Sequence, residues 1–416
     1  MKFWPQISMD NPIAGPPVAQ DEFELRIAIA SDLHAYSSAA LQGTTPPSLM
    51  EVLSSDTSPT TNPILGLKQL INDAKIRASM LVCPGDLGDK ASNEGIVFAW
   101  EKLHEIGALL GASEVYATTG NHDVDSWHKD SNVDQNHTIK NLDPPYPTPD
   151  ENQNNAYFAR DFVLVDGKNH RTILLNSSAH HGSAPEEQNH GRIIPAALER
   201  LRKILSQLSP KVLSILICHH HPHQHSELKL GATDVMHDGQ QLLDLLGTDG
   251  AAPWLIIHGH KHHPKITYAA GGTSSPVVFA SGSLTAFLFP ELGTVTKNQF
   301  HVISIKSSDI FRFGLVGRIS SWYWSHGVGW LPSNKSTGLP RETGFGFRGN
   351  LRLLAQQIAD KIGDSKLLWQ QLVQDLPELS FLLPQDFEFL REILRVRHNF
   401  GVQELDGLPY EVGRTQ

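Results

Sequence analysis

The sequence predicts an α/β fold, and three observations carry that prediction. Apolar runs of strand length alternate with stretches of helical period from residue 24 to Leu208. The apolar runs end in Gly, Asn, Asp or His, and the rim beyond the carboxyl ends of strands is where such folds build their sites. After Leu208 more strands follow with few helices between them, which places them in a second sheet.

Residues 1–23 carry prolines and no periodicity, and read as an N-terminal arm or strap on the surface. Leu25, Ile27 and Ile29 then alternate with Arg26, Ala28 and Ala30 as a first strand that delivers Asp32 and His34. Residues 36–62 are rich in Ser, Thr and Pro and read as a long insertion over the site rim. Ile64, Leu67, Ile71 and Ala74 share a helix face; Met80–Cys83 is the second strand, turned by Pro84-Gly85 into Asp86. Ser92 caps a helix holding Ile96, Trp100, Leu103 and Ile106, with Gly111 near its end. Val115–Thr119 is a strand, and Gly120 turns it sharply into Asn121-His122-Asp123. Residues 127–155, polar and Pro-rich, form a second insertion near the site. Phe162–Val165 and Thr172–Leu175 read as a hairpin around Asp166-Gly167, followed by a helix opened by Pro195. Val212–Cys218 leads into His219-His220-His221-Pro222, and Trp254–Ile257 into His258-Gly259-His260-Lys261-His262. Strands at 277–283 and 300–305 complete a domain expected over 24–330. Residues 331–416 read as a mostly helical extension that binds a partner, dimerises or caps a sheet edge.

Composition narrows the function. The net charge of −10 argues against a broadly basic nucleic-acid surface and leaves room only for a local basic channel. Cys83 and Cys218 both lie inside apolar runs, so a reducing, cytoplasmic setting is expected rather than a disulfide framework. Met1–Pro5 is not followed by the apolar core of a signal peptide, and no apolar run is long enough to span a bilayer.

Five strand ends carry ligand-type residues: Asp32, His34, Asp86, Asn121, one of His219/His220, His260 and His262. Oxygen and imidazole donors without thiolate suit Mn, Fe, Zn or Ni, and are too nitrogen-rich for Ca. Seven donors suit two ions with a shared carboxylate and positions left for water and substrate. In Asp32-x-His34 and His260-x-His262, residues two apart fall on one side of an extended chain, so each pair aims at one site.

The order Asp-x-His, Gly-Asp, Gly-Asn-His-Asp, His-x-Pro, Gly-His-x-His resembles the calcineurin-like metallophosphoesterase superfamily over roughly residues 24–310. The resemblance implies a four-layer α-β-β-α sandwich of two mixed sheets with a binuclear centre at the rim. It implies that Asp32, His34 and His262 hold one ion, that Asn121, His220 and His260 hold the other, and that Asp86 bridges. His220 stands two residues before Pro222, where the family ligand stands; His219 is the alternative. Mn is the favoured metal. His122 matches the family histidine beside the substrate and is the expected catalytic group, with Asp89 and Asp123 orienting the site from behind. Asp89 has a second reading as the cap of the next helix.

The chemistry implied is attack of a metal-bridging hydroxide on a phosphate ester, with His122 hydrogen-bonding the phosphoryl group or protonating the leaving oxygen. The protein Ser/Thr phosphatase branch reads Gly-Asp-x-Val-Asp-Arg-Gly and Gly-Asn-His-Glu. Here Gly85-Asp86-Leu87-Gly88-Asp89-Lys90 and Asp123 depart from it. A phosphodiesterase on a small or nucleotide-like substrate is the expectation, and a DNA or RNA nuclease the alternative. A non-catalytic scaffold would have lost ligands, and none of the seven is missing.

Overall fold

The computed structural model describes residues 22–41, 44–126, 128, 134–183, 190–224, 235–248, 254–272 and 274–415. Nearly all of the expected N-terminal arm, and parts of both insertions, lie outside these residues.

The chain runs through β1 (Glu24–Ile29), α1 (Pro63–Asp73), β2 (Met80–Cys83), α2 (Asn93–Leu110) and β3 (Glu114–Ala117). Local chemistry sets these boundaries. The Asn62 side chain accepts from the Ile64 and Leu65 N–H groups with Pro63 at the first helical position. Ser92, not Asp89, caps α2, and Gly111 ends it in the left-handed region. The second insertion is partly helical: α3 (His137–Lys140) and α4 (Glu151–Arg160), the latter capped by Asp150.

Next come β4 (Phe162–Asp166), β5 (His170–Leu175), α5 (Pro195–Gln207), β6 (Leu213–Ile217), α6 (Gly239–Thr248), β7 (Trp254–His258), β8 (Lys265–Tyr268) and β9 (Val277–Ala280). They are followed by α7 (Pro290–Gly293), β10 (Gln299–Lys306), α8 (Ser307–Phe313), β11 (Gly317–Ser325), β12 (Gly329–Pro332) and β13 (Glu342–Phe345). The chain closes with α9 (Leu351–Ile362), β14 (Leu367–Leu368), α10 (Trp369–Asp375), α11 (Pro384–His398), β15 (Phe400–Leu405) and β16 (Leu408–Arg414).

Two mixed sheets form the sandwich. The first has the order β12-β11-β10-β1-β2-β3, with β13 also paired to β11; the second has the order β4-β5-β6-β7-β9-β8. β1, β2 and β3 are parallel, as are β5, β6, β7 and β9, so their carboxyl ends gather on common rims. The period of two in the second sheet sorts its side chains into layers. Ile215, Ile217, Leu255, Ile257, Val277 and Phe279 join the core shared with the first sheet. The intervening Leu216, Cys218, Trp254, Ile256 and Val278 pack instead with Leu198, Leu201 and Leu242 of α5 and α6. Leu67, Ile71, Leu103 and Ile106 of α1 and α2 cover the first sheet. The result is the four-layer helix–sheet–sheet–helix order.

The first sheet continues beyond residue 331, where the helical extension was expected to begin. β12 and β13 both add to β11, with Trp324 opposite Trp330 and Gly317 opposite Phe345. Their aromatics and glycines have no helical period because they lie on edge strands. From Asn350, which caps α9, the chain builds a second core. This core holds Leu354, Ile358, Leu372, Leu390, Leu394 and Val412. The extension is not wholly helical: β14, β16 and β15 form a three-stranded sheet. No helix among the described residues is long and apolar enough to cross a membrane.

Candidate metal centre

Five strand ends meet at one rim. The backbone first staples them together. Asp32 N–H donates to Gly85 O (3.1 Å), His34 N–H to Asp86 O (3.0 Å) and Gly259 N–H to His219 O (3.1 Å). The Asp32 carboxylate accepts from His260 N–H (2.9 Å), and Asp86 accepts from His122 N–H (2.9 Å). Ser283 Oγ donates to Asp32 O (2.7 Å), bringing in the end of β9.

Asp32, His34, Asp86, His260 and His262 all adopt positive φ, between 49° and 84°. Left-handed backbone at a non-glycine residue costs on the order of 1–3 kcal/mol and concentrates at functional sites. Here it curls the strand ends so that successive side chains turn inward. The glycines of the motifs serve close packing as well. A Cβ on Gly120 would lie 2.1 Å from Asp86 Oδ1, and one on Gly259 would lie 2.5 Å from Asp32 Oδ2.

The donors fall into two groups around Asp86. In the first, His34 Nε2 lies 3.4 Å from Asp86 Oδ2, His262 Nε2 lies 3.5 Å from Asp32 Oδ1, and the two Nε2 atoms are 3.1 Å apart. In the second, Asn121 Oδ1 is approached by His219 Nε2 (3.0 Å) and His260 Nδ1 (3.1 Å). His219 Nε2 is also 3.4 Å from Asp86 Oδ2, so this oxygen sits between the groups.

His219 and His220 are turned to different partners. His219 Nδ1 donates to Pro84 O (2.9 Å), and its Nε2 faces Asn121 and Asp86. His220 Nδ1 is turned to Ser177 Oγ (2.9 Å), while its buried Nε2 has no hydrogen-bond partner. One donor nitrogen each of His219, His220 and His260 still falls within a 4.8 Å circle. Ser177, which fixes His220, was visible in the sequence only as an Asn-Ser-Ser strand end.

Donor chemistry and burial fit metal ions. Asp32 and Asp86 are buried to within 1% exposure, and a buried carboxylate pair demands positive charge. Burial opposes charge on His219, yet Asp86 and the other carboxylates outweigh it and push the imidazole up to about 9. Burial alone would raise Asp86, but His219, His122 and His34 hold it well below the usual carboxylate range. A cation at this point would take both the His34 and His262 Nε2 atoms, which lie 3.1 Å apart.

His122 stands beside the donors, its ring 4.6 Å from that of His34. His122 Nδ1 is 2.9 Å from Asp89 Oδ1, and its side chain is 31% exposed. Burial works against protonation of His122, but Asp86 and Asp89 together raise it above its ordinary value. Asp89 also approaches His34 Nδ1 at 3.8 Å, so one carboxylate addresses both histidines. Asp123 does not touch the His122 ring. Its carboxylate accepts from Gly88 N–H (3.0 Å) and Gly120 N–H (2.8 Å), clamping the β2 and β3 turns together. Burial, then Asp86, pushes it up to about 7.

Convergent oxygen and imidazole donors at the rim of a two-sheet sandwich define a metal-site protein of the α/β class. The model of the calcineurin-like phosphoesterase family matches residues 25–264, and the chain belongs to that family. A second model, described as wHTH-Calcineurin_assc, matches residues 343–395. The matched stretch of this winged helix-turn-helix model holds α9, α10 and most of α11, and the β15–β16 hairpin follows it. No curated protein matches the chain. Among solved structures, purple acid phosphatase PPD1 of yellow lupin (Lupinus luteus) is similar at 14% identity and a TM-score of 0.46, over 78% of this chain and 54% of that one. A 5'-nucleotidase precursor of Thermus thermophilus is similar at 11% identity and a TM-score of 0.34, over 68% and 51%. NAD nucleotidase (NadN) of Haemophilus influenzae is similar at 10% identity and a TM-score of 0.35, over 75% and 54%. The chain spans about half the length of each of these three proteins.

Proposed function

We propose that this protein hydrolyses phosphate esters with two divalent transition-metal ions, Mn favoured, and acts on phosphodiesters of small or nucleotide-like alcohols. The observation that carries the reading is Asp86 Oδ2, 3.4 Å from a histidine of each donor group. In this assignment Asp32, His34 and His262 hold one ion, Asn121, His260 and His219 the other, and Asp86 both. His219 takes the place first given to His220, because His219 Nε2 faces Asn121 and Asp86. The two ions, when bound, supply Lewis-acid polarisation of the phosphoryl group and a more acidic water.

The chain's own residues do the rest. Asp89 holds His122 by Nδ1, so Nε2 is the atom presented to substrate. From there His122 donates a proton to the leaving oxygen. Asp123 keeps the Asn121-His122 turn in register by tying Gly120 to Gly88.

A nuclease is the second reading, favoured by the winged helix-turn-helix match. Charge speaks against it: residues 350–416 hold ten acidic against seven basic side chains. On α11, Arg391 is 2.7 Å from Glu404 and Arg395 is 2.6 Å from Glu392.

The test is turnover by the Mn-loaded protein of bis-(p-nitrophenyl) phosphate, p-nitrophenyl phosphate, cyclic nucleotides, and single- and double-stranded DNA. Faster turnover of the diester and nucleotides than of DNA supports the reading. Preference for DNA transfers it to the nuclease.

A further inference from the structure

The stretch that carries Asp32 and His34 departs from the ordinary sheet pattern. Asp32 (φ 53°) and His34 (φ 49°) are both left-handed, a conformation that no strand continues. Their N–H groups are taken by the turn after β2, at Gly85 O and Asp86 O. The carbonyls on either side of the stretch are met by backbone too. Ser31 O accepts from Leu284 N–H (2.8 Å), and Ala35 O accepts from Asp89 N–H (3.0 Å).

The three carbonyls between them are each met by a side-chain hydroxyl. Ser283 Oγ donates to Asp32 O (2.7 Å), Thr285 Oγ1 to Leu33 O, and Ser48 Oγ to His34 O (2.8 Å). Ser48, Ser283 and Thr285 are all buried to within 1% exposure. Two of the hydroxyls are aimed from behind. Ser283 Oγ accepts from Ala286 N–H (2.8 Å) and Ser48 Oγ from Met50 N–H (3.0 Å), so each keeps its one hydrogen for the carbonyl. The two segments that supply the hydroxyls are themselves tied together. Leu49 N–H donates to Thr285 O (2.9 Å), and Phe287 N–H donates to Pro47 O (2.8 Å). The first insertion thus supports the donors through Ser48.

We propose that Ser48, Ser283 and Thr285 are positioning residues of the metal centre, holding the Asp32-Leu33-His34 backbone in the turn that brings both donor side chains to one ion. The inference rests on the phosphoesterase reading above and adds to it three residues that act through the backbone of the donors. A buried carbonyl that loses its donor is costly, and a left-handed residue relaxes once the contacts that hold it are gone. Removing one hydroxyl therefore shifts a donor. Groups that support a metal ligand from behind are worth about 10–100-fold in metal affinity. The loss falls on the ion assigned to Asp32, His34 and His262, because Asn121, His219 and His260 stand on other strand ends.

The experiment is a Mn titration of the metal-free full chain, followed by electron paramagnetic resonance, which yields a dissociation constant for each ion. Thr285→Val keeps the shape of the side chain and removes its hydroxyl. It is expected to weaken one constant by about tenfold or more and to leave the other within about threefold. Ser48→Ala is expected to do the same, and Thr285→Ser, which keeps a hydroxyl, to bind as the wild type does. Anomalous diffraction from Thr285→Val crystals at limiting Mn should place the retained ion beside Asn121. Ser321→Ala is the control: it removes a buried hydroxyl from β11, two strands away from β1, and should lower the melting temperature without changing either constant. Unchanged constants in Thr285→Val and Ser48→Ala overturn the proposal, and two-ion binding by the wild type then leaves the phosphoesterase reading in place. Equal weakening of both ions, or the same weakening in Ser321→Ala, reduces the hydroxyls to general stability and also overturns it. A wild type that takes up no Mn ends the phosphoesterase reading and this inference with it.

Discussion

The strand-end rim and the winged unit are built on opposite terms. At the rim, charged groups are buried, backbone is held in the left-handed region, and imidazole nitrogens crowd together. In the winged unit the interior is aliphatic, from Leu354 to Val412, and the charges stand outside in pairs such as Lys361–Asp375 and Lys366–Glu411. The rim gives up stability to bring its donors together; the winged unit gains a firm shape from its aliphatic core. A change at the rim should therefore cost function before fold, and a change in the winged core should cost fold before function.

The largest expected effect is at the carboxylate shared by the donor groups. Asp86→Ala should release both ions together and reduce turnover to background, while the far-UV spectrum stays native. Elemental analysis of the variant checks this, and one retained ion would show that Asp86 serves a single site.

His122→Ala should keep both ions and lower turnover by about 10²–10⁴, the range for a general acid or base. The loss should be smaller for a p-nitrophenolate leaving group than for a nucleoside alkoxide, which needs protonation more. Equal losses would replace proton donation with phosphate positioning as the account of His122.

The converse holds for the winged core. Leu390 is fully buried on α11, and Leu390→Ala should cost about 2–5 kcal/mol. Metal content of the folded fraction should not change. Denaturant melts paired with metal analysis would break the comparison if ions were lost in proportion to stability.

The smallest expected effect is a pH slope arising away from either region. His301 lies between the sheets, its Nδ1 2.9 Å from Ser321 Oγ and its ring against Phe279. Burial holds it down to about 3, against 6.5 for a free histidine. A histidine that refuses its proton only when folded contributes stability that is full above the unfolded value. That contribution is lost as pH falls from about 6.5 towards 3, at no more than about 1.4 kcal/mol per pH unit. The acid limb of the stability curve should flatten in His301→Gln, and an unchanged slope would clear His301 of the effect.

Much of the rim was legible in the sequence because its chemistry is local. Each donor follows an apolar strand within a few residues, and a glycine or proline marks most of the turns. How the His219 and His220 rings are turned was not legible. It depends on which ring finds Pro84 O and which finds Ser177 Oγ, contacts made across the fold. The bond from Gly88 N–H to Asp123 was not legible for the same reason: Gly88 is 35 residues away. The strands of the winged unit are short and half exposed, so periodicity is weak there. One signal was present, Asp406-Gly407 between Leu405 and Leu408. Both residues have positive φ (52° and 75°), which suits a two-residue hairpin turn. β12 and β13 were missed because edge strands rich in Gly and Trp have no clean alternation.

The proposed centre requires two ions meeting at Asp86. The most direct measurement is anomalous diffraction at the Mn edge from crystals of the Mn-loaded chain. The prediction is two peaks about 4 Å apart, with Asp86 reaching both and the His219 nitrogen on one. A single peak, or two peaks with Asp86 touching only one, would contradict it.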